Sequence, residues 1–379
     1  MQEKASIDIL ISKMKQADSK KIKMCIGFDG FVDEIVHVVD KRIDVDNYKR
    51  VEYLKDYGEK IVKSAGVSMN VEMVTIQEKL GGNGPILANA LIKQGCDVTY
   101  LGALGKPDIH PVFKEMASSS KVISFSNPGH TDAIEFLDGK IISSKLESLK
   151  DVCWDNLLTE ISLENFIQLL DESDLVGFEN WTLLVNSTDL WKHIVEEVIP
   201  RLKPTKRKKT LFIDLADPEK REKSDIIEAL DYMKKFAGYY RVVLGLNLKE
   251  ACEIAELYGL QIDDYDCVEL KALLRYIKKN VAVDLLVIHP VKKAGVIGEE
   301  RESIVDGPYC RFPKLTTGAG DNFNAGFILG LMLGFTEKEC LLLGTANSGF
   351  YVRRARSASY EELIEFLEFW KKDQLEEIS

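Results

Sequence analysis

No stretch constrains this chain more than Leu315-Thr316-Thr317-Gly318-Ala319-Gly320-Asp321-Asn322-Phe323-Asn324-Ala325-Gly326-Phe327. Gly318, Ala319 and Gly320 lead into an apolar, proline-free segment that ends near Gly334. A small-residue turn at a helix N-terminus leaves backbone N–H groups free, and the helix dipole adds positive potential there. That arrangement holds an anion, typically a phosphate group in transit. Asp321 falls in the first helical turn, where a carboxylate would repel the anion. Its presence makes chemical sense if it takes a proton from an attacking hydroxyl. Asp321 is therefore the candidate base, and Gly318, Ala319 and Gly320 form the candidate anion hole. An aspartate there can also serve as a simple helix cap, but the motif is longer than capping requires.

The surrounding chain supplies a scaffold for such a turn. Met24-Cys25-Ile26-Gly27-Phe28 reads as a buried first strand, with Asp29 and Asp33 beyond its carboxyl end. Open α/β sheets bind ligands at that end; the alternative reading makes both carboxylates turn residues around Gly30. Leu80-Gly81-Gly82-Asn83 opens a helix running to Gln94-Gly95. The paired glycines allow close backbone approach, and Asn83 can hydrogen-bond whatever approaches. Residues 163–246 alternate helix-like pieces (163–172, 189–202, 224–237) with strand-like ones (174–178, 210–214, 241–246). Repeated units of this kind imply a parallel sheet with helices on both faces. Thr131 to Ile142 alternates apolar and polar residues about Asp138-Gly139, a hairpin with one solvated face. Asn247 and Glu250 stand three apart after the strand ending at Leu246, which is a capping box.

Charge and cysteine usage exclude several functions. A net charge of −11 argues against nucleic-acid binding and against adsorption to anionic membrane. The basic run Lys203 to Lys209 lies between a helix and a strand and reads as a solvated loop. Seven dispersed cysteines without a Cys-x-x-Cys pair suit free thiols in a reducing cytoplasm. The five histidines lack zinc-site spacing. No apolar run reaches membrane-spanning length, and the first residues lack the apolar core of a signal peptide. Residues 1–20 read instead as an added helical extension.

Taken in order, these motifs resemble those of the ribokinase-like carbohydrate kinases, the PfkB family, over roughly residues 22–370. Leu315 to Phe327 matches that family's Gly-Ala-Gly-Asp signature. Gly81-Gly82 through Ala88 is similar to its Gly-Gly-x-x-x-Asn-x-Ala segment, with Ile86 where the family has Asn. Asp214 to Arg221 resembles its Asp-x-Asn-x-x-Arg segment, with Asp217 in place of Asn. The resemblance implies a doubly wound, mainly parallel α/β sheet in a single domain over 1–379. It also implies a small β-sheet lid from pieces near 31–60 and 122–145. It implies transfer of the γ-phosphoryl of ATP to a hydroxyl of a sugar-like substrate in the cytoplasm. Asp33 would accept hydrogen bonds from substrate hydroxyls, with Asp29, Gly82 and Asn83 beside it. Asn247 and Glu250 would organise Mg²⁺, and Asn247, Thr317, Gly295 and Asn347 would contact the nucleotide. A monovalent cation such as K⁺ is compatible with this family. Where the family carries Thr/Ser-x-Gly-x-x-Gly, this chain has His289-Pro290 and keeps only Gly295; Pro290 removes a backbone donor. A nucleoside kinase on the same scaffold is the nearest alternative, and a non-catalytic sugar- or nucleotide-binding regulator is another. The lid hairpin exposes an edge strand, so a monomer or a dimer through the lid is expected.

Overall fold

The computed structural model describes residues 2–299 and 301–378. Among the described residues, fourteen strands form two sheets. They are β1 (Lys23–Phe28), β2 (Phe31–Arg42), β3 (Tyr48–Arg50), β4 (Met73–Gly81), β5 (Asp97–Gly102), β6 (Lys121–Ser124) and β7 (Gly129–Glu135). After these come β8 (Lys140–Lys145), β9 (Leu175–Phe178), β10 (Lys209–Asp214), β11 (Tyr240–Leu246), β12 (Leu285–Ile288), β13 (Lys293–Ile297) and β14 (Glu302–Asp306). The large sheet runs β14-β13-β12-β11-β10-β9-β1-β5-β6. It is parallel from β6 to β12, while β13 and β14 reverse direction at one edge.

Alternation along the central strands divides the core into two layers. Leu211, Ile213, Val242, Leu244, Leu286 and Ile288 belong to one apolar cluster. Phe212, Val243, Leu285 and Val287, one residue out of step, belong to the other. A sheet covered on both faces requires this near-continuous apolar pattern, and each buried side chain contributes about 1.5–3 kcal/mol. The helix Ala319–Met332 lies in the second layer against the helix Glu337–Arg354. They approach so closely that a Cβ on Gly326 would meet Leu343 O at 2.6 Å. The N-terminal helix Gln2–Met14 packs Ile7, Leu10 and Ile11 into the same layer, and Tyr360 donates to Met14 O at 2.9 Å. No described helix is long and apolar enough to cross a membrane.

The small sheet orders β3-β2-β7-β8, with β4 also paired to β2. Only Asp29 and Gly30 separate β1 from β2, so the chain passes from the main sheet into the lid at that point. Besides the pieces near 31–60 and 122–145, the small sheet takes in β4. β6, which begins the second piece, belongs to the edge of the large sheet. The expected helix 189–202 is broken: Ser187–His193 widens over Ile194–Val198 and ends in a tight turn at Ile199–Arg201. Pro200, which has no N–H to donate, sits in that turn.

Candidate active site

Two cavities meet at Asp321. One, of about 390 Å³, is lined by Asp214, Asn247, Glu250, His289, Ala319 and Gly320. The other, of about 270 Å³, is lined by Asp33, Lys79, Gly82, Lys140, Thr317 and Gly318. Asn83 and Asp321 line both.

The turn before Asp321 is built on Gly318, whose φ of +93° favours glycine. A Cβ there would also come 2.7 Å from the Tyr351 hydroxyl, which donates to Thr317 O at 2.8 Å. Ala319 N–H closes the turn onto Thr316 O at 3.1 Å, while the Gly318 and Gly320 N–H groups have no partner among the described residues. Of the three N–H groups expected to face an anion, Ala319's is thus engaged within the turn. Asp321 is only 7% exposed, and Asn83 Nδ2 donates to its Oδ1 at 3.0 Å. Burial, reinforced by Asp29 and Glu250, holds its carboxyl well above the usual range, while Asn83 favours the ionised form. A buried carboxyl with raised proton affinity is suited to removing a proton from an alcohol.

Asp29 lies beneath this site. Its carboxylate accepts from Asn83 N at 3.0 Å, Gly84 N at 2.9 Å and Asn180 Nδ2 at 2.8 Å. Tyr100 adds a fourth donor, at 3.3 Å. Burial pushes its carboxyl up to about 6 against those four donors. Asp29 lines neither cavity; it caps the helix Asn83–Lys93 and so aims Asn83 at Asp321. Asp29→Ala would strand buried donors and should lower unfolding stability by about 2–3 kcal/mol. Denaturant unfolding tests this. Unchanged stability with a raised sugar KM would instead make Asp29 a ligand.

Asp33 does face the second cavity. It stands between Lys79 of β4 and Thr131 of β7 in register, and its carboxylate lies across Gly81, where a Cβ would fall 2.3 Å from it. Burial raises its pKa, with Lys79, Thr131 and Lys140 opposing.

Asn247 and Glu250 form the capping box: Glu250 N donates to Asn247 Oδ1 at 3.0 Å and Asn247 N to Glu250 Oε2 at 2.9 Å. Glu250 Oε1 accepts from Asp217 N at 3.0 Å. Each carboxylate oxygen retains capacity for a further bond, and Glu250 lines the cavity. Asp214, which accepts from Ala216 N and Asn324 Nδ2, is buried nearby. Burial raises Asp214, with Glu250 and then Asp321 adding to it, so three buried carboxylates repel one another around one cavity. A cation there would relieve that repulsion, and the donor set of carboxylate and carboxamide oxygens fits Mg²⁺.

Three expected nucleotide contacts lie elsewhere. Gly295 is already inside β13, paired with Ile288 and Ile304, and its missing Cβ makes room for Leu274. The β12–β13 connection presents His289, Pro290 and Val291 to the cavity instead. Asn347 is fully buried and donates to Asn322 O at 2.6 Å, joining two helices; Thr345 and Ser348 of its helix line the cavity. Thr317 lines the Asp33 cavity, while Thr316 lines the other.

Several residues of this neighbourhood carry no sequence motif. His289 packs against Phe323 with ring centroids 4.7 Å apart, and burial pushes it down to about 4, so it is neutral near pH 7. Glu179, at the carboxyl end of β9, is 2% exposed, and neither carboxyl oxygen has a hydrogen-bond partner among the described residues. Burial, then Asp214, Asp321 and Asp29, raises its pKa well above the usual carboxylate range. Asn180 and Lys79 are further lining residues; the position after a strand's carboxyl end was the available signal for Asn180.

A glycine turn and a carboxylate shared by two cavities, on a doubly wound sheet with a β-lid, define the ribokinase-like class of sugar kinases. The prokaryotic ketohexokinase family model matches residues 12–370, and the chain belongs to that family. It is 29% identical over 346 residues to a ketohexokinase of Haloferax volcanii, covering 91% of this chain and 90% of that one. Its fold is similar to that of Arabidopsis thaliana ribokinase complexed with ribose and ATP: TM-score 0.61, 15% identity, 92% of this chain and 99% of that one. The Methanocaldococcus jannaschii nucleoside kinase of the ribokinase family shares the fold at TM-score 0.59 and 15% identity, covering 93% and 99% of the two chains. The chain is therefore an ATP-dependent sugar phosphotransferase.

Proposed function

We propose that this kinase transfers the γ-phosphoryl of ATP to a hydroxymethyl oxygen of a ketohexose, with Mg²⁺ on the nucleotide side. The observation that carries this reading is Asp321, which belongs to both cavities. An alcohol held beside Asp33 has its oxygen at Asp321, and a triphosphate in the other cavity ends at the same carboxylate. Asp321 takes the hydroxyl proton. Gly318 and Gly320 donate their N–H groups to the oxygens of the transferring phosphoryl. Asn83 keeps Asp321 oriented, and Asp33 with Gly82 binds the sugar. Asn247, Glu250 and Asp214 would hold the metal through its waters, and the metal neutralises phosphate charge when bound. Phosphoryl transfer needs mainly positioning and charge stabilisation, which these groups supply.

The relative from Haloferax volcanii supports a ketohexose. Phe31 is the aromatic residue among those lining the sugar-side cavity, so a base sandwich for a nucleoside lacks a second wall. Coupled ADP release across ketohexoses, aldohexoses, pentoses and nucleosides tests the assignment. A ketohexose should give the highest kcat/KM, by about tenfold or more. A nucleoside in first place would overturn the substrate, and no turnover with any alcohol would favour a binding regulator.

A further inference from the structure

Lys140 opens β8, directly after the Asp138-Gly139 turn at the tip of the lid hairpin. Its ammonium donates to the Thr317 hydroxyl, so the lid touches the residue immediately before Gly318. Lys140, Gly318 and Asp321 line the same cavity. Of the other two lysines there, Lys220 pairs with Asp217 at 3.0 Å; Lys79 and Lys140 both act on Asp33, without an ion pair to it among the described residues. The group that holds Lys140 is a neutral hydroxyl. Glu135 faces it across the hairpin, without an ion pair between them among the described residues. A flexible cation directed to the rim of an anion hole, and secured there by an uncharged acceptor, keeps its charge available for an incoming anion.

We propose that Lys140 is a lid-borne catalytic cation, whose ammonium binds the γ-phosphoryl oxygens as the group passes from ATP to the sugar. The proposal rests on the kinase reading above and adds a residue to it. As transfer proceeds, the sugar oxygen bonds to Pγ while the Pγ–O bond to the β-phosphate breaks. The hydroxyl proton goes to Asp321 and ADP leaves with the electron pair. Lys140 gains and loses no proton. The metal-binding carboxylates lie on the nucleotide side, and Lys140 approaches from the sugar side. The transferring group would thus meet positive charge on two sides, with the Gly318 and Gly320 N–H groups between them. Because the cation rides on the hairpin, closing the lid over a sugar would exclude water and deliver this charge in one movement.

The test combines kinetics with binding of ADP plus aluminium fluoride, a mimic of the group in flight. Lys140→Met should lower kcat about 10²-fold, in the range for loss of one preorganised donor to a developing charge. Its sugar KM should stay within about twofold and its Tm should match wild type. Calorimetry with sugar present should give unchanged ADP affinity, but at least tenfold weaker binding of ADP with aluminium fluoride. Lys140→Arg should recover most of both losses. Unchanged kcat in Lys140→Met would overturn the proposal. So would a rise in sugar KM and a fall in Tm with aluminium fluoride affinity intact, which would make Lys140 a structural latch. The two readings fail separately. Absence of ketohexose turnover in wild type sinks the substrate assignment, while Lys140 is judged on whichever acceptor of the panel, or water, takes the phosphoryl.

Discussion

Asp321→Asn is expected to fold and bind ATP normally while its kcat falls by roughly 10² or more, the range for a lost general base. Asparagine has the same size and still offers Oδ1 to Asn83 Nδ2, so the contact that joins the two glycine turns survives. The variant cannot accept the hydroxyl proton. ATP should bind as tightly or more tightly, because a buried negative charge near the γ-phosphate is gone. The wild-type pH profile provides an independent check. Asp321 must be ionised to act, and burial with Asp29 and Glu250 raises its pKa above the ordinary 3.8. Activity should therefore be present at high pH and fall as pH drops through that raised value, so the acid limb of kcat/KM lies above 3.8. Asn83→Ala removes the donor that opposes the shift and should move the limb further up. Equal turnover in wild type and Asp321→Asn, read by ADP release, would sink the base assignment.

What was legible in the sequence follows physical locality. The Gly318 turn and Asp321 are local: the turn conformation, the helix start and the carboxylate lie within a few residues. The capping box of Asn247 and Glu250 is local for the same reason, as are the buried strands β10 and β11, whose apolar runs need no partner to be read. Asp214, Glu250 and Asp321 come from three elements, and their mutual repulsion exists only once the parallel sheet brings its strand ends together. β4 escaped because most of its side chains are exposed, so no apolar alternation marks it. Gly295 was misread by register: the chain turns at His289 to Lys292, and Gly295 is already paired in β13. Asp29 was read as a ligand from its position at a strand end, which is correct for the backbone. The donors that absorb its charge are distant in sequence: Asn83, Gly84, Tyr100 and Asn180. Asn347 shows the same limit, since a buried helix crossing and a cavity wall look alike in one dimension.

Asp33→Ala is expected to lower kcat/KM for the sugar about 10- to 100-fold, or about 1.4–2.8 kcal/mol of transition-state stabilisation. ATP affinity should not change, because Asp33 lines the sugar-side cavity alone. Two losses combine in this variant. The substrate hydroxyls lose a carboxylate acceptor, and a hydrogen bond to a charged group is worth more than a neutral one. Lys79, half-buried and opposite in register, also loses its counter-charge. Asp33→Asn separates the two. It keeps the shape that lies across Gly81 and an acceptor oxygen, yet removes the charge, so it should fall between wild type and Asp33→Ala. Pairing Asp33→Ala with Lys79→Met adds a control: it removes the stranded ammonium and should recover stability without recovering sugar affinity. If Asp33→Ala lost thermal stability while its kinetics matched wild type, Asp33 would be a strand residue that pairs Lys79 and no more. The sugar would then have to be held by Asn83, Asn180 and the lid lysines.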